Sequence, residues 1–386
     1  MRLFDIEDDY LISFNEECSR NSVVKVPTGI TTIGREAFYN CDNVRTIIVP
    51  KTVTEIESNA FSLCKNLRKV ILPPSLKIIR NIFENCTSLC EVSIPYGVEE
   101  IASDAFLGCS ALRYIELPQS VKKIGNGAFY ECRNLEEIVL NNNIETIDDV
   151  CFYGCEKLKS ISLPSSIKRI GEGAFYYCSS LESITLPPFI DKLYDATFKY
   201  CTKLSSVILP PKLKIIGEAC FTSCKSLTHI TIPNTLKEIG GDAFKDCVKL
   251  DRIKLPESIT SIGSSCFSNC QNLKIINKKD VKDGLYINDK GLNSVTKLNK
   301  VKVNISKNVT FIGDKAFKDC NSLEEVNIPS SVKYIGCEAF KNCVNLKKVN
   351  IKKGVKTIRE AAFENCKELK KNYSTLICKR NWKLPI

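Results

Sequence analysis

LSSVILPPKLKIIGEACFTSC, residues 204–224, is followed by LTHITIPNTLKEIGGDAFKDC, residues 227–247, in the same phase 23 positions on. The phase extends both ways. An F-x-x-C cysteine stands at Cys41, Cys64, Cys86, Cys109, Cys132, Cys155, Cys178, Cys201, Cys224, Cys247, Cys270, Cys320, Cys343 and Cys366, which makes fourteen units spaced by 23 except for one step of 22 and one of 50. Written generically, the unit is L-x-x-I-x-L-P-x-x-I-x-x-I-G-x-x-A-F-x-x-C-x-x. Its opening L-x-x-I-x-L alternates as a half-buried strand does, and the following Pro stops the ladder because it has no N–H. The second half supplies two more inward apolar positions, a frequent Gly for a tight turn, and a small residue before Phe. A piece this short buries too little surface to fold alone, whereas stacked copies share a continuous core. The expected fold is a repeat solenoid, a β-solenoid of about fourteen 23-residue units made mainly of short parallel strands and turns.

Fourteen of the eighteen phenylalanines fall in the F-x-x-C frame, from Phe38 to Phe363, which predicts a stacked aromatic spine. The unit closely resembles the 23-residue BspA-like leucine-rich repeat, also called the Treponema pallidum type, over residues 23–270 and 305–366. Leu209, Pro210, Ile216, Gly217, Phe221 and Cys224 are among the residues that carry the resemblance. VKDGLYINDKGLNSVTKL, residues 281–298, looks like the hairpin-like insertion that such arrays carry, and would explain the 50-residue step. The organisation expected is an irregular N-terminal cap (1–22), repeats (23–270), an irregular repeat with the insertion (271–304), repeats (305–366) and a C-terminal cap (367–386) containing Trp382. Three units depart from the pattern: Ile82 replaces the small residue before Phe83, Asn141 replaces the Pro and Tyr194 replaces the Gly. The resemblance implies a non-enzymatic surface protein that adheres to host or matrix proteins; the alternative is an intracellular protein–protein interaction scaffold.

A hydrophobic share of 44% with 26% charged residues suits a folding, soluble chain, and no apolar run approaches the length of a membrane span. MRLFDIEDDYLISF at the start has no uninterrupted apolar segment, so neither a secretory signal nor a transit peptide is expected, and CKRNWKLPI at the end has no lipid-attachment box. By these signs the chain reads as cytoplasmic. The family resemblance suggests instead the cell surface, reached by a non-classical route.

CFTSCKSLTH, residues 220–229, holds two cysteines and the one histidine of the chain. The repeat phase makes them scaffold. Cys224 belongs to the F-x-x-C ladder, and Cys220, like Cys151 and Cys266, fills the small-residue slot before Phe. A buried free thiol acts as a small hydrophobe with a weak donor, suited to meeting backbone carbonyls at a coil corner. The total of 21 cysteines is odd, so at least one stays unpaired. A zinc site needs four neighbouring ligands, which one His and cysteine pairs two or three coils apart do not supply. His229 precedes the inward Ile230 and therefore points outward; Ser206 and Thr231 share its face, but no carboxylate stands where a triad needs one. GNG (125–127) and GEG (171–173) lack the third glycine and βαβ setting of a dinucleotide fold, and no P-loop occurs. No catalytic residue, metal ligand or cofactor site is read from the sequence.

Function is then sought at outward positions that vary between units. The candidate partner-binding face is a hydroxyl-rich strip that becomes basic: Ser160, Ser162, Ser183, Thr185, Ser206, Ile208, His229, Thr231, Arg252 and Lys254. Charge is uneven. Residues 271–386 carry 25 Lys and Arg against 11 Asp and Glu, net +14, while residues 1–270 are net −3. Lys278, Lys279, Lys282, Lys347, Lys348, Lys352, Lys353, Lys356, Lys370 and Lys371 form a candidate basic patch for an anionic glycan, an anionic lipid or an acidic protein. Nucleic acid is not expected, since no aromatic stacking platform accompanies these lysines.

Overall fold

The computed structural model describes every residue except 1, 19–20, 257, 260, 264, 271–272, 277–280, 283–284, 289–290, 296–301, 306, 308, 370–381 and 384–386. The chain divides into two compact units, Met1–Lys212 and Leu213–Ile386. Among the described residues it is built from short strands and turns, with one 3-10 turn, Glu16–Cys18, as its helical element.

All but one of the described coils contribute two strands rather than the one that alternation predicts. In the first unit Tyr114–Glu116 pairs in parallel with Glu137–Val139, Ile115 beside Ile138, one repeat along. The second strands form their own parallel sheet, Ile78–Ile79, Glu100–Ile101, Lys123–Ile124, Thr146–Ile147 and Arg169–Ile170. The proline between the two strands starts a turn: its carbonyl accepts the N–H three residues on, as in Val121 N to Pro118 O at 3.0 Å and Val98 N to Pro95 O at 3.0 Å. That turn buries Val121 and Val98 and brings the next two residues into line with their copies in the neighbouring coils. Two inward residues three apart are too short a pattern to announce a strand; the neighbouring coils make it one.

The third side of the coil, carrying the A-F-x-x-C segment, also forms a backbone ladder. Asp104 N, Phe106 N and Gly108 N donate to the carbonyls of Asn126, Ala128 and Tyr130 in the next coil at 2.8–2.9 Å. Asp104 (φ 57°) and Gly108 (φ 71°) flank this segment in the left-handed region, and most coils repeat that pair. Asn, Asp or Gly fills many of the positions before the ladder cysteine, including Asn40, Asn85, Gly108, Gly154, Asp246, Asn342 and Asn365, as that backbone conformation favours.

Inside this ladder the phenylalanine rings stack in each unit. Rings from Phe38 to Phe198 follow one another at 5.3–5.7 Å between centroids, and Phe317, Phe340 and Phe363 at 4.6–4.8 Å. The thiols complete the corner. Cys109 Sγ–H donates to Phe83 O at 3.2 Å, Cys132 to Phe106 O at 3.2 Å, and the relation recurs from Cys64–Phe38 (2.9 Å) to Cys343–Phe317 (3.0 Å). These thiols thus reach the carbonyl of the preceding coil's phenylalanine, which satisfies a buried acceptor without a formal charge, whereas Cys41, in the first F-x-x-C unit, meets Tyr39 O of its own coil at 3.9 Å.

The three departures from the pattern are accommodated. Asn141, standing where proline is usual, is buried, donates from Nδ2 to Pro118 O (2.6 Å) and Val121 O (2.9 Å), and accepts Asn143 N–H at 2.7 Å. Its side chain builds the turn that the proline makes elsewhere. Ile82 is fully buried against the stack, and Tyr194 packs under Arg169 and Lys192, 5.1 and 4.4 Å from its ring centre. One coil does depart from expectation: residues 160–162 form no strand, although Leu158 and Ile161 remain buried. Both outward positions there are Ser, without the β-branching of Thr185 or the ring of Tyr114.

The N-terminal cap is not irregular throughout. Phe4–Glu7 and Tyr10–Phe14 form an antiparallel hairpin, Phe4 opposite Phe14 and Glu7 opposite Tyr10, whose second strand continues in parallel with Thr32–Ile33. Phe14 is 7% exposed and stacks on Phe38 at 4.9 Å, so the spine begins one ring before the first F-x-x-C unit. The second unit repeats this construction. Leu285–Asn288 and Gly291–Val295 are antiparallel, Leu285 opposite Val295 and Asn288 opposite Gly291, and Gly291–Val295 runs parallel with Phe311–Ile312. The 50-residue step therefore contains a second copy of the starting hairpin. Trp382–Lys383 pairs antiparallel with Thr357–Ile358 at the other edge of that sheet.

Gly125 shows how closely coils approach. A Cβ there would stand 2.7 Å from Ser103 N and 2.8 Å from the carbonyl carbon of Ala102, both backbone atoms. Gly125→Ala is expected to lower stability by about 1–3 kcal/mol, because the coils must separate to admit the methyl group. Urea denaturation of the two proteins measures it.

Candidate binding surfaces

In the first unit the outward strand residues form rows. Ser183–Thr185 lies beside Ser206–Ile208, with Ser183 opposite Ser206 and Thr185 opposite Ile208. Ser183 and Thr185 are exposed, Ser206 is half-buried, and Ile208, at 59%, is one of the most exposed large apolar residues described. Ser160 and Ser162 are exposed but belong to the coil without a strand.

Across the turn, on the corner beside the phenylalanine stack, lies a surface that alternation along the strands does not reveal. Tyr130, Tyr153 and Tyr176 each follow a stacked phenylalanine, and their rings stack at 4.5 and 4.9 Å. Tyr177 and Tyr200, each just before a ladder cysteine, stack at 4.7 Å and meet Tyr176. Lys199 lies over Tyr176 and Tyr200 at 5.4 and 5.7 Å. Partial burial, reinforced by Tyr130 and Tyr176, pushes the Tyr153 hydroxyl up to about 12, so it stays protonated in neutral solution. Tyr177 is 41% exposed. The signal was present as tyrosines recurring at repeat spacing, but these positions lie outside the alternating strand segment.

In the second unit the stretch 220–229 is resolved as the repeat phase predicts. Cys220 and Cys224 are fully buried, and His229 is exposed, its Nδ1 3.1 Å from the Thr228 hydroxyl. His229 lies in register with Arg252. His229, Thr231, Asn234, Arg252 and Lys254 line an open cleft of ≈ 490 Å³ whose apolar wall includes Ile232, Pro233 and Pro256. Among the described residues no cluster of three metal-ligating side chains occurs, and no helix is long and apolar enough to cross a membrane.

The basic patch is divided by its neighbours. Lys347 pairs with Glu324 at 2.7 Å, and Lys348 lies 4.0 Å from Glu325, which also meets Lys302 at 3.1 Å. Lys302 and Lys348 hold the Glu325 carboxyl below its ordinary range. Lys352, Lys353 and Lys356 are exposed. Lys278, Lys279, Lys370 and Lys371 lie outside the described residues, as does the side chain of Lys282 in the strand Val281–Lys282.

Short parallel strands joined by tight turns around a Leu, Ile, Phe and Cys core, with variable side chains on the strand face, define a leucine-rich-repeat protein. The chain belongs to the BspA-type leucine-rich-repeat family, whose model, described as a region of six copies, matches residues 12–136, 77–204, 122–250, 191–303 and 286–375. A leucine-rich repeat protein from Bacteroides ovatus has a similar solved structure, 27% identical with a TM-score of 0.62, covering 94% of this chain and 88% of that one. A leucine rich cell surface protein from Faecalibacterium prausnitzii is 22% identical, TM-score 0.44, over 95% and 79% of the two chains. A leucine-rich repeat protein from Eubacterium ventriosum is 22% identical, TM-score 0.47, over 94% and 89%. A search of curated proteins finds no match.

Proposed function

We propose that this protein binds other proteins without catalysis, through the outward residues of its first strands, and that it serves as a surface adhesin for host or matrix proteins. The observation that carries the reading is the division of each coil. Its inward positions repeat Leu, Ile, Phe and Cys, whereas its outward ones change from Ser183 and Thr185 to Arg252 and Lys254. The repeated positions hold the fold, and the variable ones are free to match a partner. Ile208, exposed beside Thr185, supplies the apolar contact that hydroxyl rows lack. The immobilised full chain is expected to capture a protein from a panel of fibronectin, fibrinogen and host-cell surface extracts. Thr185→Arg with Ile208→Arg is expected to weaken that capture by about tenfold or more while leaving the unfolding midpoint unchanged, since both side chains face solvent. Capture unaffected by the double change would remove this face from the reading.

A second reading, a cytosolic scaffold, is favoured by the thiol ladder, because a cysteine donating its Sγ–H to a carbonyl must be reduced. Antibody labelling of native cells decides between the two. Labelling of intact cells supports adhesion, and labelling only after permeabilisation supports the scaffold.

A further inference from the structure

We infer that the cleft at His229, Arg252 and Lys254 is a docking site for an extended acidic segment of a protein partner; this rests on the protein-binding reading above. The argument starts from how the second unit treats its outward cations. Where Lys302, Glu325 and Lys348 stand on adjacent strands, the glutamate lies between the lysines and offsets one of their two charges. The cleft has no such carboxylate. Arg252 meets Asp251, its own chain neighbour, at 3.5 Å, and Lys254 has no carboxylate within ion-pair distance among the described residues. His229 hydrogen-bonds Thr228. Two cations thus stand on one strand, two residues apart and on the same face, as alternate side chains do. An extended peptide lying along that strand would present its own alternate side chains at the same interval, so carboxylates every second residue would meet Arg252 and Lys254 in turn.

The walls select the kind of anion. Ile232, Pro233 and Pro256 give the cleft an apolar side that the apolar residues between carboxylates in a peptide would cover more fully than a sulfated sugar, whose ring carries hydroxyl and sulfate groups around its small C–H faces. Thr231 and Asn234 add a hydroxyl and an amide at the rim for the peptide backbone.

The test titrates the full chain with the fluorescent peptide Glu-Leu-Glu-Leu-Glu and its neutral analogue Gln-Leu-Gln-Leu-Gln. The acidic peptide is expected to bind at least about tenfold more tightly, and to weaken as salt is raised. Arg252→Glu with Lys254→Glu should reduce its affinity by about tenfold or more, while Lys307→Glu with Lys315→Glu, the same charge change at exposed lysines elsewhere in the unit, should change it less than about twofold. Equal loss in both variants would mean attraction to net charge alone and would overturn the site. So would heparin binding that depends on Arg252 and Lys254 in a chain that ignores the acidic peptide, which would assign the cleft to a sulfated glycan. Protein capture that persists unchanged in Arg252→Glu with Lys254→Glu would overturn this inference and leave the protein-binding reading standing; loss of all protein capture by the unaltered chain would remove that reading itself.

Discussion

Phe129→Ala is expected to destabilise the protein by about 3–5 kcal/mol, with the loss read from urea denaturation. The ring is fully buried between Phe106 and Phe152, 5.3 and 5.5 Å away and within 4° of parallel to both. Its removal deletes two stacking contacts and a large apolar volume at once, and the backbone ladders of the corner limit how far the coils can collapse into the space. In a stacked array each coil is held by its neighbours, so an interior defect weakens two interfaces. Phe363, which stacks on Phe340 at the end of its series, is the comparison: Phe363→Ala should cost about half as much. An interior change no costlier than the terminal one would mean that the rings contribute by area alone and not as a continuous stack.

The second large effect is a loss of stability in alkali. Burial pushes the thiols of Cys86, Cys270 and Cys320 up to about 12 from an ordinary value of 9.0, and raises those of Cys109, Cys155 and Cys247 well above it. In the unfolded chain these groups ionise near 9.0. Unfolding therefore releases protons above that pH, and the stability present at neutral pH is lost as pH rises from about 9 toward the folded values. Each such thiol contributes a slope of about 1.4 kcal/mol per pH unit, so Cys86, Cys270 and Cys320 alone give about 4 kcal/mol per unit. Unfolding midpoints between pH 8 and 11 are expected to fall steeply. Replacing Cys86 by Ala should remove one share of that slope, although it costs some stability at neutral pH. The same burial governs reactivity. A thiol-specific disulfide reagent at pH 8 should modify exposed Cys90 rapidly and the buried ladder only as fast as coils open, with all 21 cysteines reacting after denaturation. Rapid reaction of Cys109 or Cys155 in the folded protein would contradict the ladder.

The candidate face was legible to different depths in its two parts. Alternation placed His229, Arg252, Lys254, Ser183 and Thr185 outward, because a strand in a shared core has no other way to present them. It did not reveal that Arg252 and Lys254 border a cleft, nor that Glu324 and Glu325 would occupy Lys347 and Lys348. Those relations depend on which residue of the next coil falls alongside. The tyrosine cluster escaped for a related reason: Tyr177 and Tyr200 occupy left-handed positions of the corner, where neither strand nor helix periodicity applies.

What the sequence determined by itself is the coil: its 23-residue length, the inward Leu, Ile, Phe and Cys, and the place of the interrupting hairpin. One pattern repeated fourteen times constrains burial strongly, since an error of one position would turn every core residue outward. The tertiary structure alone decided the second strand of each coil, the donation of ladder thiols such as Cys109 to the preceding coil's phenylalanine carbonyl, the substitution of Asn141 for a proline turn and the absence of a strand at 160–162. These features are contacts between residues 20 to 26 positions apart. Such pairs meet only once a coil has closed upon the one before it, and no local propensity encodes that meeting.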